Sequence, residues 1–142
     1  MKAYKSKTVA TWAALLFGAF GAHRFYLHGL KDKLGWLLPL PTLAGIYGVQ
    51  RMDLLGQDDR LAWLLIPLLG VTLVAGMLAG IIYGLTPDER WNAERNAGQA
   101  GPASGWLVII GVVACLLIGG TCLMATLAFS AQRYFEAEAA AQ

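Results

Sequence analysis

The sequence predicts an all-α integral membrane protein in which four transmembrane helices form two helical hairpins. Three observations lead to this fold class. The 142-residue chain is 57% hydrophobic and only 14% charged, whereas soluble domains are about a quarter charged. Its charged residues fall in a few short stretches that long apolar runs separate. A Trp lies near the amino end of each run, where an indole ring is typical of the membrane–water interface.

The four apolar runs cover residues 8–22, 34–49, 61–85 and 105–131. The third and fourth exceed the roughly 20 residues that a spanning helix needs. The four tryptophans that we interpret as interface anchors are Trp12, Trp36, Trp63 and Trp106. These lengths and anchors predict helix breaks near residues 28–33, 55–60 and 86–104. The chain then divides into a first hairpin over residues 1–55 and a second over residues 56–142.

The two shorter runs carry features that distort a helix. The first extends through Leu27, and a short connection to Lys33 indicates a hairpin with the second. Pro39 and Pro41 lie inside the second run. Each proline removes a backbone donor and clashes with the preceding turn, so we expect this helix to be kinked or locally unwound.

Small residues recur every four positions on three of the predicted helices. Gly76, Gly80 and Gly84 form such a ridge on the third helix. Similar ridges occur on the first and fourth helices: Ala14, Gly18 and Ala22, and Gly111, Cys115 and Gly119. Small-residue ridges let helix backbones approach closely in lipid. We therefore expect Gly76, Gly80 and Gly84 to face another helix, in this chain or in a second copy.

The connection between the third and fourth helices predicts a short surface helix over about residues 87–96. Thr86 and Glu89 have the spacing of a capping box, and Pro87 suits a first helical position. Arg90 and Glu94 are four residues apart, which favours an ion pair. We expect Trp91 to lie at the membrane interface, and the residues after Arg133 to extend the fourth helix into water.

The most informative stretch is Gly18-Ala-Phe-Gly21-Ala-His23-Arg24-Phe25-Tyr26-Leu27-His28-Gly29. It resembles the signature of the TM2 domain family, whose run is Gly-x-x-Gly-x-His-Arg-Phe-Tyr-Leu-Gly. His28 stands where the family has Gly, and Asp53 lies near, but not at, the position of the Asp that ends the family's second helix. The resemblance covers about residues 5–55 and implies a membrane hairpin. It implies no general biochemical activity and leaves the last two helices unassigned.

The same residues have two physical interpretations. In the first they form a structural corner, in which Gly18 and Gly21 allow close packing while Arg24, Phe25 and Tyr26 anchor the interface. In the second, His23 or Arg24 pairs across the hairpin with an acid: Asp53, Asp58 or Asp59. Buried charges in membranes usually mark function. For Arg24 we expect a partner nearer to Asp88, Glu89 or Glu94 than to Asp53, because antiparallel helices place Asp53 at the far end.

Several classes of function lack the residues that they need. The net charge of +2 is too small and too dispersed to indicate nucleic-acid binding. His23 and His28 lie on different sides of a helix without further ligands, so we expect no metal and no cofactor. Cys115 and Cys122 are too far apart along one helix to form a disulfide. No nucleophile has a His–acid pair nearby, and we expect no enzyme activity.

These features favour a non-catalytic accessory, assembly or interaction subunit of a membrane complex, in contact with lipids and with other membrane proteins or copies of itself. A small channel or transporter is an alternative, since the second helix is interrupted and charges lie near it. An immunity or resistance protein against a membrane-acting toxin is another. We expect a bacterial inner (plasma) membrane location. Four spans would place both termini on one side, and the lysines before the first helix favour the cytoplasm.

Overall fold

The computed structural model describes residues 3–142 and is helical without strands over that range. Seven α-helices follow one another: α1 (Lys7–Phe17), α2 (Ala22–His28), α3 (Lys33–Leu37), α4 (Pro39–Leu55), α5 (Arg60–Leu85), α6 (Asp88–Arg95) and α7 (Trp106–Ala139). A 3₁₀ turn (Gly18–Phe20) joins α1 to α2. Three connections between helices fall where the sequence predicts them, at 29–32, 56–59 and 86–105, and the last of these contains α6.

Two of these helices, α5 and α7, are long and apolar enough to cross a membrane. They correspond to the third and fourth apolar runs. The prediction of four such helices is wrong, because neither of the first two runs forms one continuous helix of spanning length. The first run is broken at Gly21, which adopts a left-handed conformation with φ 78°. The second is interrupted at Leu38, directly before Pro39, where the sequence predicts an interruption, although Leu38 itself keeps helical dihedral angles of φ −61° and ψ −40°.

The central helix of the bundle is α5, and its neighbours fix the direction of each segment. α7 is antiparallel to α5, since Val112 lies by Gly84 and Met77 lies by Gly119. Near the start of α5, the Arg133 guanidinium of α7 lies 5.4 Å from the centre of the Trp63 ring. The bundle therefore has two ends. The α6 face comprises residues 3–6, loop 29–32 and residues 86–105. The Asp59 face comprises loop 56–59 and the end of α7.

The segments α1 and α2 form a re-entrant hairpin that begins and ends at the α6 face. α1 runs antiparallel to α5 until Gly18 meets Gly76, near the middle of α5. The chain then reverses at Gly21, and α2 returns. The Tyr26 hydroxyl accepts a hydrogen bond of 2.8 Å from the backbone N–H of Ser6. The 11 residues of α1 rise only about 16 Å, against a hydrocarbon thickness of about 30 Å.

The pair α3–α4 passes from the α6 face to the Asp59 face. Gly35 of α3 lies against Gly21, Thr42 of α4 contacts Thr72, and Gly48 lies against Leu65 near the start of α5. The chain thus traverses the bundle three times, through α3–α4, α5 and α7. Residues 3–6 and the tail after α7 lie at opposite faces. The expectation that both termini share one side does not hold in this structure, because the first segment turns back.

The predicted loop helix is present as α6, with a 2.7 Å ion pair between Arg90 and Glu94. Two details differ from the prediction. Thr86 does not cap α6, since its hydroxyl donates to the Ile82 carbonyl within α5, and Pro87 precedes the first helical residue. Trp91 is only 3% exposed, because its ring packs on Tyr83 and its indole N–H donates to the Lys5 carbonyl at 2.8 Å.

Candidate functional site: two Arg–Asp–Trp corners

The loop between α2 and α3 forms a tight corner at the α6 face. The Arg24 guanidinium donates to Asp32 with an Nε–Oδ2 distance of 2.7 Å. Asp32 also accepts from the backbone N–H of Leu34 and so caps α3. Gly29 ends α2 with φ 84°, and the Trp36 indole N–H donates to the Leu30 carbonyl at 2.8 Å. The Arg24 hydrogen bond lowers the pKa of the Asp32 carboxyl, so this carboxyl is ionised at neutral pH.

The loop between α4 and α5 repeats this geometry at the Asp59 face. Arg51 Nε lies 2.7 Å from Asp59 Oδ2, and the Trp63 indole N–H donates to the Gln57 carbonyl at 2.6 Å. Gly56 ends α4 with φ 91°. The Arg51 hydrogen bond lowers the pKa of the Asp59 carboxyl. The positive φ at Gly29 and Gly56 favours glycine at both loops, because a Cβ strains that backbone.

The two corners are an internal repeat with an offset of 27 positions, which is visible in the sequence. Residues 18–38 align with residues 45–65. The identical pairs are Gly18/Gly45, Gly21/Gly48, Arg24/Arg51, Leu27/Leu54, Gly29/Gly56, Asp32/Asp59, Leu34/Leu61, Trp36/Trp63, Leu37/Leu64 and Leu38/Leu65. We name residues 24–36 the α6-face corner and residues 51–63 the Asp59-face corner. A self-comparison of the sequence at this offset identifies both.

The partner of Arg24 is therefore Asp32, which the sequence interpretation did not consider. Asp53, Asp58 and Asp59 lie at the opposite face, so none of them pairs with Arg24 across the hairpin. Asp53 occupies the repeat position of Tyr26 and is exposed. The loop acids Asp88, Glu89 and Glu94 share the α6 face with Arg24, as expected, but they pair elsewhere or not at all.

The remaining motif residues pack inside the re-entrant hairpin. His23 is 4% exposed, and its ring lies 5.8 Å from that of Tyr83. The Phe25 ring lies 5.1 Å from that of Trp36. Among the described residues, no group of three His, Cys, Asp or Glu side chains has the arrangement of a metal site. His23, Phe25 and Tyr26 therefore contact other residues of the chain, whereas the structural-corner interpretation assigned Phe25 and Tyr26 to the membrane interface.

The glycine ridge of α5 faces two other helices of this chain, which is the arrangement that its spacing predicts. A Cβ on Gly76 lies 2.8 Å from the Gly18 backbone, and a Cβ on Gly80 lies 2.6 Å from the Cys115 sulfur. Gly84 packs against Val112. These contacts hold α1 and α7 on the central helix.

Polar groups meet at the tip of the re-entrant hairpin, deep in the bundle. The Thr42 hydroxyl lies 2.6 Å from the Ala19 carbonyl and 3.0 Å from the Thr72 hydroxyl. Thr42 is 1% exposed and Thr72 is 4% exposed. A re-entrant turn inside a membrane needs either protein or water around its backbone. Here the carbonyl of Ala19 is satisfied by protein.

Hydrogen bonds tie the segment before α1 to α6. The backbone N–H of Lys5 donates to the Asn96 side chain at 2.7 Å. Lys7 forms a 2.6 Å ion pair with Asp88, which also accepts hydrogen bonds from Ser104. These contacts lower the pKa of Asp88 to about 2. The α6 face is thus an ordered polar surface, whereas the Asp59 face consists of one corner and a helical tail.

Two helices that are long and apolar enough to cross a membrane, together with a family match, indicate a membrane protein. The family model described as TM2 domain matches residues 3–55. This confirms, over residues 3–55, the resemblance that Gly18 to Leu27 carry. The match ends within the Asp59-face corner and leaves α5, α6 and α7 outside. No curated protein and no solved structure matches this chain.

Proposed function

We propose that the chain is a non-catalytic interaction subunit of a membrane complex, and that α7 is the helix that meets its partner. The observation that carries this proposal is the one-sided packing of α7. Its buried positions follow one narrow line: Val108, Gly111, Cys115 and Gly119. The other sides are open, with Leu117 65% exposed and Met124 69% exposed.

The length of α7 supports the same proposal. Its 34 residues extend about 51 Å, well beyond a hydrocarbon thickness of about 30 Å. Past the bundle it presents Tyr134 and Phe135, each 65% exposed, with ring centres 5.6 Å apart. Exposed aromatic residues are enriched at protein interfaces. A partner that packs along α7 would cover both the membrane part of the helix and this aromatic pair.

Site-specific photo-crosslinking in intact membranes tests this proposal. A photoreactive side chain replaces Leu117 on the open side of α7, Cys115 on its buried side, or Leu43 on the exposed side of α4. We expect the Leu117 variant alone to give a discrete protein adduct, whose mass distinguishes a second copy from another protein. Adducts with lipid only, at equal yield for Leu117 and Leu43, would contradict the proposal.

A transport function is the second candidate, and the re-entrant hairpin favours it, since broken segments at membrane depth line pathways in other transporters. The close packing around Thr42 and Thr72 supports a closed scaffold instead. Ion or solute flux in liposomes that contain the purified protein distinguishes the two. We expect flux equal to that of empty liposomes, and flux above it would favour transport.

We further propose that the α6 face lies in the cytoplasm of a cell whose plasma membrane holds the protein. The cations at this face are Lys5, Lys7, Arg24, Lys31, Lys33, Arg90 and Arg95, and those at the Asp59 face are Arg51, Arg60 and Arg133. An excess of Lys and Arg marks the cytoplasmic side of a membrane protein. Four spans would divide the Lys and Arg residues almost equally between the two sides, whereas the re-entrant path divides them unequally. The re-entrant path therefore supports this orientation.

A further inference from the structure

The two corners form a matched pair, because the same backbone geometry carries opposite charge at the two faces. At the aligned loop positions, Lys31 of the α6-face corner corresponds to Asp58 of the Asp59-face corner. The neighbouring pair Lys33 and Arg60 is basic in both. His28, which aligns with Leu55, adds a further polar group to the α6-face corner alone. The difference in charge is therefore not required by the fold of the corner.

Several cations at the α6-face corner are free to bind an anion. Among the described residues, Lys31, Lys33 and Arg95 form no ion pair, whereas Arg24 is paired with Asp32. One guanidinium nitrogen of Arg95 lies 3.1 Å from His28 Nε2. Burial together with Arg95 and Arg24 lowers the pKa of His28, so at neutral pH this ring is uncharged and accepts from Arg95. Arg95 is thereby oriented beside the corner with other N–H donors available.

The apolar residues of the corner fix its depth. Leu30, Leu34 and Trp36 are 72%, 54% and 60% exposed. They lie within three residues of Lys31 or Lys33, and an exposed Trp beside lysines is typical of the headgroup level of a bilayer. Apolar side chains that enter the acyl region leave the ammonium groups among the phosphates.

We propose that the α6-face corner binds the phosphate groups of anionic phospholipids through Lys31, Lys33 and Arg95. The whole face supports this occupant. Seven described cations face four acids (Asp32, Asp88, Glu89 and Glu94) there, a net charge of +3. At the Asp59 face, three cations meet five acids (Asp53, Asp58, Asp59, Glu136 and Glu138), a net charge of −2. The cytoplasmic leaflet is the anionic one. Lipid binding in the cell therefore rests on the proposed orientation of the α6 face, whereas the attraction between its cations and phosphate does not.

Native mass spectrometry of the full chain in detergent measures the binding directly. The protein is titrated with phosphatidylglycerol or with phosphatidylcholine of the same acyl chains, and the retained lipid is counted. The wild type should retain phosphatidylglycerol in preference. Lys31→Asp should reduce that preference by an order of magnitude or more, since each cation near the surface contributes about five-fold and two charges change. Unchanged preference in Lys31→Asp would overturn the proposal.

The internal repeat provides a gain-of-function variant. Asp58→Lys gives the Asp59-face corner the loop residue of the other corner, and we expect it to retain additional phosphatidylglycerol. Both substituted residues are exposed loop residues, and thermal melting checks that each variant is folded. If Lys31→Asp does not fold, the test rests on Asp58→Lys. A failure of this variant to retain additional phosphatidylglycerol counts against the proposal. If millimolar inorganic phosphate displaces the lipid from the wild type, the site binds free anions and the lipid assignment is wrong.

Discussion

Replacing Gly76 by Ala should separate the re-entrant hairpin from the central helix. The added Cβ would lie 2.8 Å from the carbonyl carbon and the Cα of Gly18. Carbon atoms in contact are normally about 3.5–4.0 Å apart, so the two backbones must move apart by about 1 Å. Backbone atoms cannot rotate away as a flexible side chain does. Overpacking of this kind destabilises by about 1–3 kcal/mol.

Gly120→Ala is the matched control for this prediction. Gly120 also lies within a long apolar helix, but an added Cβ there meets nothing within 4 Å. Both substitutions gain the same helix propensity, about 1 kcal/mol, so the difference between the variants isolates the steric effect. Unfolding in mixed micelles, followed by Trp fluorescence, should show Gly76→Ala less stable than Gly120→Ala by about 1–3 kcal/mol. Equal stability of the two variants would refute the close-packing argument.

Three further predictions concern packing and charge. In Gly80→Leu the first added side-chain carbon would lie 2.6 Å from the Cys115 sulfur. This substitution should abolish folding or lower the melting temperature well below that of a variant with Leu at an exposed site. Asp88→Asn should destabilise the protein at neutral pH but not at low pH. Because the pKa of Asp88 is lowered to about 2, the stabilising effect of its carboxylate is complete above about pH 4 and is lost as the pH falls toward 2. The melting curves of the wild type and of Asp88→Asn should therefore converge near pH 2. Asp59→Asn removes the charge partner of Arg51 and should lower the midpoint of chemical denaturation. A midpoint that does not move would show that this corner is not held by its ion pair.

Much of the helical structure is predictable from the sequence. The lengths of the third and fourth apolar runs predict α5 and α7. Pro39 and Pro41 predict the interruption before α4. The four-residue spacing of Gly76, Gly80 and Gly84 gives the face on which other helices pack. These features follow from local composition and periodicity, which is why they do not depend on knowing the tertiary structure.

The path of the first segment is not predictable in the same way. The apolar run continues through Gly21 without a change in composition, and this glycine, in a left-handed conformation, packs against the Gly35 backbone of a different helix. Run length alone therefore suggests a spanning helix where the chain turns back. That error placed the segment before α1 at the face opposite to Arg24, whereas Ser6 and Tyr26 are hydrogen-bonded in the structure.

The repeated corner, in contrast, is present in the sequence, but as an internal similarity at an offset of 27 positions and not as part of the family signature. Asp32 and Asp59 follow Arg24 and Arg51 by the same number of positions in the sequence. Trp36 and Trp63 likewise follow these two aspartates by the same number of positions. Comparing the chain with itself shows these pairs directly. The bonding partner of each indole, a loop carbonyl, still requires the structure.

The sidedness of four introduced cysteines tests the re-entrant path most directly. In a background without Cys115 and Cys122, the variants Ala3→Cys, Lys31→Cys, Asp58→Cys and Ala140→Cys are labelled with a membrane-impermeant maleimide in right-side-out and inverted vesicles. A chain that traverses the bundle three times after a re-entrant hairpin predicts that positions 3 and 31 label from one side and positions 58 and 140 from the other. Labelling of positions 3, 58 and 140 from one side, and of position 31 alone from the other, would contradict the account and restore four spanning helices.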